Sequence, residues 1–196
     1  MGKIALISQA PSPALTDFLV GTSSADSKTY SFTISQLAAL MAKSKGQFYD
    51  SVNQLATLAN TAYAVILRGT DSSSTSGISV VTDGVNLTRI TVTNTGTYLV
   101  SCSAILRTGT NAVVDMWLRK NGVTVPSNIS NTNRKMNVLA ATSNNYMMYE
   151  TIVSLTAGDY IQLVWASDAT GTLFQADSVN TLHAETPCVI ASIIQI

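Results

Sequence analysis

His183 is the only histidine of the 196-residue chain and lies in the loop-like run Asn180-Thr181-Leu182-His183-Ala184-Glu185. A catalytic nucleophile needs a base held by a third group, and zinc needs three or four His, Cys or carboxylate ligands. One imidazole with no partner at helical or metal spacing satisfies neither. Cys102 and Cys188 are far apart in sequence and sit in strand-like runs. Two buried thiols packing as small hydrophobes are expected there, with a single disulfide as the alternative. Asp17, Asp26, Asp83, Asp159, Asp168 and Asp177 stand singly beside turn residues, where aspartate accepts backbone hydrogen bonds. Two of them meeting for acid–base work or calcium binding is the alternative, and no EF-hand spacing supports it. The stretch Gly69 to Gly77 precedes a strand, where a phosphate cradle would precede a helix. The chain is therefore expected not to be an enzyme and to carry neither metal nor cofactor.

Charge excludes another class. Lys+Arg 11 balances Asp+Glu 11, and charged residues make up 11% of the chain, against about 25% in an average soluble domain. Arg68, Arg89, Arg107, Arg119 and Arg134 are scattered, as expected of solubility and local pairing. A neutral, hydroxyl-rich surface gives phosphate backbones and acidic headgroups no Coulomb attraction, so no nucleic-acid partner is expected. Hydrophobic residues make up 46% of the chain, which excludes disorder for most of it. No apolar run reaches eighteen residues, so no membrane insertion is expected. The start, Met-Gly-Lys-Ile-Ala-Leu-Ile-Ser, is too short an apolar run for a signal peptide, and Sec export is not expected. So few charges also suggest that part of the surface is buried in a permanent oligomer.

Three zones must position whatever the chain presents. In residues 1–45, Leu19-Val20 and the alternating run Thr29-Tyr30-Ser31-Phe32-Thr33-Ile34 predict a small, half-buried β-hairpin. Ser35 then caps a short helix, Gln36 to Lys43. In residues 46–62, Phe48, Val52, Leu55, Ala59 and Ala62 step by 4, 3, 4 and 3, a coiled-coil seam expected to form a helical neck. The alternative is one amphipathic helix docked on its own domain. Residues 63–196 predict about eight strands, at Tyr63–Leu67, Ile78–Val81, Thr88–Thr93, Gly96–Leu106, Val113–Lys120, Tyr146–Leu155, Tyr160–Ala166 and Cys188–Ile196. Their spacing argues a sandwich or jelly roll. Several runs are apolar on both faces, among them the Trp117 strand and the final strand, while the Tyr146-Met147-Met148-Tyr149 run reads as core and subunit interface, with an adaptable binding surface as the alternative. Their second faces should pack against another subunit.

The β zone resembles a known family. Gly96-Thr97-Tyr98-Leu99-Val100 resembles the G-x-Y-x-V strand of TNF-like jelly rolls, the fold of tumour necrosis factor and complement globular heads. Trp117-Leu118-Arg119-Lys120-Asn121-Gly122 resembles their strand ending in a K-N-G turn, and Leu155-Thr156-Ala157-Gly158-Asp159-Tyr160-Ile161-Gln162-Leu163 their L-x-x-G-D-x-I/V-x-L segment. The order matches the family's. The resemblance implies a homotrimer, with the last strand, Val189 to Ile196, entering the threefold axis. The stretch between Gly122 and Met136 is short for the family, which leaves a receptor-contacting surface undefined.

The first zone resembles the N-terminal attachment segments of tailed-bacteriophage virion proteins. The likeness rests on Leu15-Thr16-Asp17-Phe18-Leu19-Val20-Gly21 and Phe32-Thr33-Ile34-Ser35-Gln36-Leu37. It implies that Asp17, Phe18, Leu19, Tyr30, Phe32, Ile34 and Leu37 dock the chain to a major capsid or tail protein. The trimer interface is expected at Phe48, Val52, Leu55, Trp117, Tyr149, Ile193 and Ile194. The whole then reads as a mainly β virion protein, assembled in the host cytoplasm: hairpin anchor, helical neck and trimeric jelly-roll head. It would be a short head fibre or a capsid decoration protein that stabilises the particle or adheres to the host. A tail fibre recognising a host glycan or surface protein is the alternative. The hydroxyl-rich loops Ser72–Ser76, Asn128–Asn133 and Thr142–Asn145 would be the contact surface for a neutral sugar, or would merely keep an uncharged surface hydrated.

Overall fold

A computed structural model of the chain describes residues 18–22, 29–122, 132–140, 144–178, 181 and 184–196. It divides into two compact units, Met1–Ala42 and Lys43–Ile196.

In the first unit, β1 (Phe18–Thr22) pairs antiparallel with β2 (Thr29–Thr33), with Leu19 opposite Phe32 and Gly21 opposite Tyr30. Helix α1 (Ile34–Met41) follows directly. Its cap is Thr33, not Ser35. The Gln36 N–H donates to Thr33 Oγ1 at 3.1 Å, and the Thr33 N–H donates to Gln36 Oε1 at 2.9 Å. This reciprocal capping box satisfies two N–H groups at once, which a Ser35 cap would leave open.

The second unit is β throughout. Its strands are β3 (Lys45–Asp50), β4 (Gln54–Leu55), β5 (Tyr63–Ala64), β6 (Gly69–Thr70), β7 (Ile78–Thr82), β8 (Leu87–Val92), β9 (Gly96–Arg107), β10 (Ala112–Lys120), β11 (Arg134–Val138), β12 (Asn145–Leu155), β13 (Tyr160–Ser167), β14 (Leu173–Phe174) and β15 (Val189–Gln195). They form two antiparallel sheets. The smaller runs β11-β10-β13-β8-β7, with β5 on β13. The larger runs β4-β14-β9-β15-β3-β6, with β12 on β9. Between them lies one core. Val114, Met116 and Leu118 of β10 and Ile161, Leu163 and Trp165 of β13 face Tyr98, Val100 and Cys102 of β9 and Val189, Ala191 and Ile193 of β15. Trp165 stacks on Phe174 with ring centroids 4.3 Å apart, joining one sheet to the other. All eight strands expected in residues 63–196 are present, extended or trimmed at their ends.

The helical neck is not present. Residues 47–62 hold most of β3, then β4 and a turn in which Asn60 takes φ 55°. Along β3 the burial alternates, with Gly46, Phe48 and Asp50 inside and Lys45 and Tyr49 outside. The reason is tertiary. Strand β15 offers β3 a six-residue ladder from Val189↔Asp50 to Ile194↔Lys45. An isolated helix of this length is marginal in water, so a ready-made strand partner wins. Asp50, fully buried, is then paired: Arg68 Nη1 lies 2.5 Å from its Oδ2, and Gln54 Nε2 donates to the same oxygen at 2.8 Å. The Gln54 amide goes on to Ile66, donating to its carbonyl at 2.8 Å and accepting its N–H at 2.9 Å. The segment read as a neck is therefore an integral strand and bend of the sandwich.

Candidate functional site

The family-like motifs turn out to be structural clasps. Asn121 and Gly122 take φ 52° and 69°, a left-handed pair that glycine accepts readily. A Cβ on Gly122 would sit 2.2 Å from the Tyr160 hydroxyl. Asn121 bridges to the second motif: its Nδ2 donates to Asp159 Oδ1 at 2.8 Å, and its Oδ1 accepts the Tyr160 N–H at 3.0 Å. Lys120 Nζ lies 2.6 Å from Asp159 Oδ2. These contacts, the Asn121 amide first, hold the Asp159 carboxyl down at about 2. In the G-x-Y motif, Tyr98 is fully buried and its hydroxyl donates to the Asn94 carbonyl at 2.6 Å. None of these side chains is left over for chemistry.

Nor are the cysteines. Cys102 and Cys188 are buried and unbridged. Burial is the main cause that pushes each thiol up to about 12, so neither forms the thiolate that reacts. Among the described residues, no three His, Cys, Asp or Glu side chains gather to hold a metal. His183 lies outside the described residues, as do Asp17, residues 128–131 of the Asn128–Asn133 loop and residues 142–143 of the third.

What the structure does present is the outward face of the larger sheet. Strand β12 alternates strictly: Met147, Tyr149, Val153 and Leu155 point into the core, while Tyr146, Met148, Glu150 and Ile152 point out. The register carries this across the sheet in rows. Met148 stands opposite Ser103, then Ile190, then Tyr49. Glu150 stands opposite Ser101, then Ser192, then Gln47. Ile152 stands opposite Leu99, then Ile194, then Lys45. A polar row thus runs between two mainly apolar ones. Met148 is 82% exposed and Tyr146 68%. Ile152 and Ile194 are exposed as well. A shallow groove of about 230 Å³ crosses the middle of the face, lined by Ser101, Ser103, Met148, Glu150, Ile190 and Ser192. Large apolar side chains exposed side by side in register mark an interaction surface.

The residues expected at a subunit interface are spread over both sheets and the bend after β3. Phe48, Tyr149 and Ile193 are buried in the chain's own core and cannot meet a second copy. Period-two alternation points Tyr49, Met148 and Ile194, next to them in the chain, outward. Ile194 alone of the expected set lies on the striped face. Val52 and Leu55 are exposed, in the bend after β3 and on β4. Trp117 is half-buried on the smaller sheet, in β10. The pleat was the signal that separates Tyr146 and Met148 from Met147 and Tyr149. Of the expected anchor, Phe18, Leu19 and Tyr30 lie on the β1–β2 pair, Phe32 is exposed on β2, and Ile34 and Leu37 belong to α1.

Comparison with known proteins adds the fold. No family model matches the chain, and no curated protein matches it. Among solved structures it is similar to the structure of Eiger TNF from S. frugiperda, with TM-score 0.52 and 12% identity over 79% of this chain and 92% of that one. At that identity the likeness shows the architecture alone: a mainly β, TNF-like jelly roll of two antiparallel sheets.

Proposed function

We propose that the chain is a structural protein of a tailed-bacteriophage virion, a short head fibre or capsid decoration protein that assembles as a homotrimer. The observation that carries the assembly is the striped face of the larger sheet, with Met148 at 82% exposure and Tyr146 at 68%. Burying such side chains between copies removes their apolar area from water, at about 25 cal/mol per Å². A stable interface needs about 800 Å² per partner, and we place it over β12, β9 and the Ile194 end of β15, leaving the β3 edge with Gln47 and Tyr49 open. The virion assignment is supported by the resemblance of residues 15–37 to phage attachment segments. The separation of Met1–Ala42 from Lys43–Ile196 as compact units agrees with an anchor and a displayed head. Residues 1–42 dock to a major capsid or tail protein, and the jelly roll stabilises the particle or adheres to the host surface.

Deleting residues 1–42 tests the anchor. The expected product is a folded, assembled head that no longer joins particles. Retained incorporation overturns the anchor assignment. Met148→Asp tests the face: it places a charge in a dry interface and dissociates the head without unfolding it. A second reading, a tail fibre that recognises a host glycan, is favoured by the cleft described next.

A further inference from the structure

A second concavity, of about 390 Å³, lies at the β3–β6 side of the larger sheet, opposite the β12 edge. Gln47 and Tyr49 of β3, Ser51 just beyond it, Asp71 just beyond β6, and Glu185 and Pro187 ahead of β15 line it. The aromatic ring is held in place. Tyr49 stands opposite Gly69 in the β3–β6 ladder, and a Cβ on Gly69 would come within 2.4 Å of its ring. The absent side chain lets the ring rest against the β6 backbone while the residue stays 36% exposed.

Polar groups surround this ring. The Ser51 hydroxyl oxygen is buried without a hydrogen-bond partner. Gln47 lies on the same side of β3 as Tyr49, and Glu185 is exposed at the rim. Asp71 is oriented by its own loop, its Oδ1 accepting the Ser73 N–H at 3.0 Å and the Ser73 hydroxyl at 2.6 Å. Those bonds hold it ionised, the Ser73 hydroxyl contributing most. No lysine or arginine is among the described residues that line the cleft.

We propose that this cleft binds a neutral saccharide, the apolar face of one sugar ring lying on Tyr49 and its hydroxyls bonding to Glu185, Gln47 and Ser51. This deepens the adhesive reading of the head given above and rests on it. The chemistry selects the class. Carboxylates accept from sugar hydroxyls, while the amide and the serine can donate or accept, so each group finds its complement. A fixed aromatic with a few converging polar groups is the make-up of a small-molecule site. Two carboxylates in the lining disfavour sialic and uronic acids.

The test uses the full-length, assembled protein. Methyl glycosides of glucose, galactose, mannose and N-acetylglucosamine are screened by saturation-transfer NMR, with sialyllactose and tetramethylammonium as controls. At least one neutral glycoside is expected to bind, with transfer strongest at the protons of one ring face. Tyr49→Ala and Glu185→Gln each weaken it about tenfold, as for loss of a stacking face or a charged hydrogen-bond partner. Glu185→Gln changes an exposed loop and leaves the fold intact, so a loss there is not misfolding. No transfer from any neutral glycoside, unchanged binding in both variants, or preference for sialyllactose or tetramethylammonium overturns the inference. An assembled protein that binds no sugar refutes the cleft alone; a monomer that binds sugar refutes the assembly alone.

Discussion

Replacing Asp159 with alanine removes three contacts at once: the Asn121 amide at 2.8 Å, the Thr156 N–H at 2.7 Å and the Lys120 ammonium at 2.6 Å. Together they lower this carboxyl from 3.8 to about 2. At full weight that shift is worth about 2.5 kcal/mol. The turn lies at the surface, where solvent screening reduces it to about 1 kcal/mol. Freeing the turn N–H and amide to water adds about 0.5–1 kcal/mol. The variant is therefore less stable by about 1.5–2 kcal/mol, or roughly 3–8 °C in Tm for a domain of this size. The pH dependence carries a definite sign. A carboxyl depressed in the folded state stabilises fully above its unfolded pKa, near 4, and loses that stabilisation as pH falls through its folded value near 2. Urea unfolding followed by tryptophan fluorescence, with wild type and variant compared at pH 7, 4, 3 and 2, reads both effects. The gap holds from pH 7 to just above 4 and narrows below. A gap under about 0.5 kcal/mol at pH 7, or one that does not narrow, refutes the clasp.

Three further variants probe the same framework. Phe48→Ala empties a fully buried site and should cost about 3–5 kcal/mol in denaturant unfolding; a loss of assembly with stability unchanged would restore Phe48 to the interface. Gly122→Ala must place a Cβ 2.2 Å from the Tyr160 hydroxyl at φ 69° and should cost about 1–3 kcal/mol in the same measurement; a neutral result would mean that the turn relaxes freely. Arg68→Met leaves the buried Asp50 carboxylate with only the Gln54 amide and the Val52 N–H and should cost about 3 kcal/mol at pH 7; a neutral or stabilised variant would mean that these two neutral donors suffice.

Strand positions were legible because period two and turn residues coincide. Burial in the run from Gly96 alternates from Tyr98 to Ala104, and Asn121-Gly122 and Gly158-Asp159 punctuate the neighbouring strands. The neck was not legible, because Phe48, Val52 and Leu55 satisfy a heptad as well as they satisfy a strand and a bend. Only the distant β15, more than 130 residues away in the chain, decides between them. Short strands such as β14, two residues long, carry no periodic signal and exist because β9 and β4 flank them. The outward face was half legible. Composition marked the final strand as apolar on both faces, but which face meets the core depends on register. That is why Ile194 points outward while Ile193 and Tyr149 lie in the core. The Tyr49 cleft left no mark in the sequence, since Gly69, Asp71 and Glu185 reach it from three separate segments.

The most direct measurement is the solution mass of the full-length protein by light scattering, repeated on Met148→Asp. An assembly through the striped face gives three times 20.7 kDa for the wild type and 20.7 kDa, still folded, for the variant. A wild-type monomer, or a trimer that Met148→Asp leaves unchanged in mass, contradicts it.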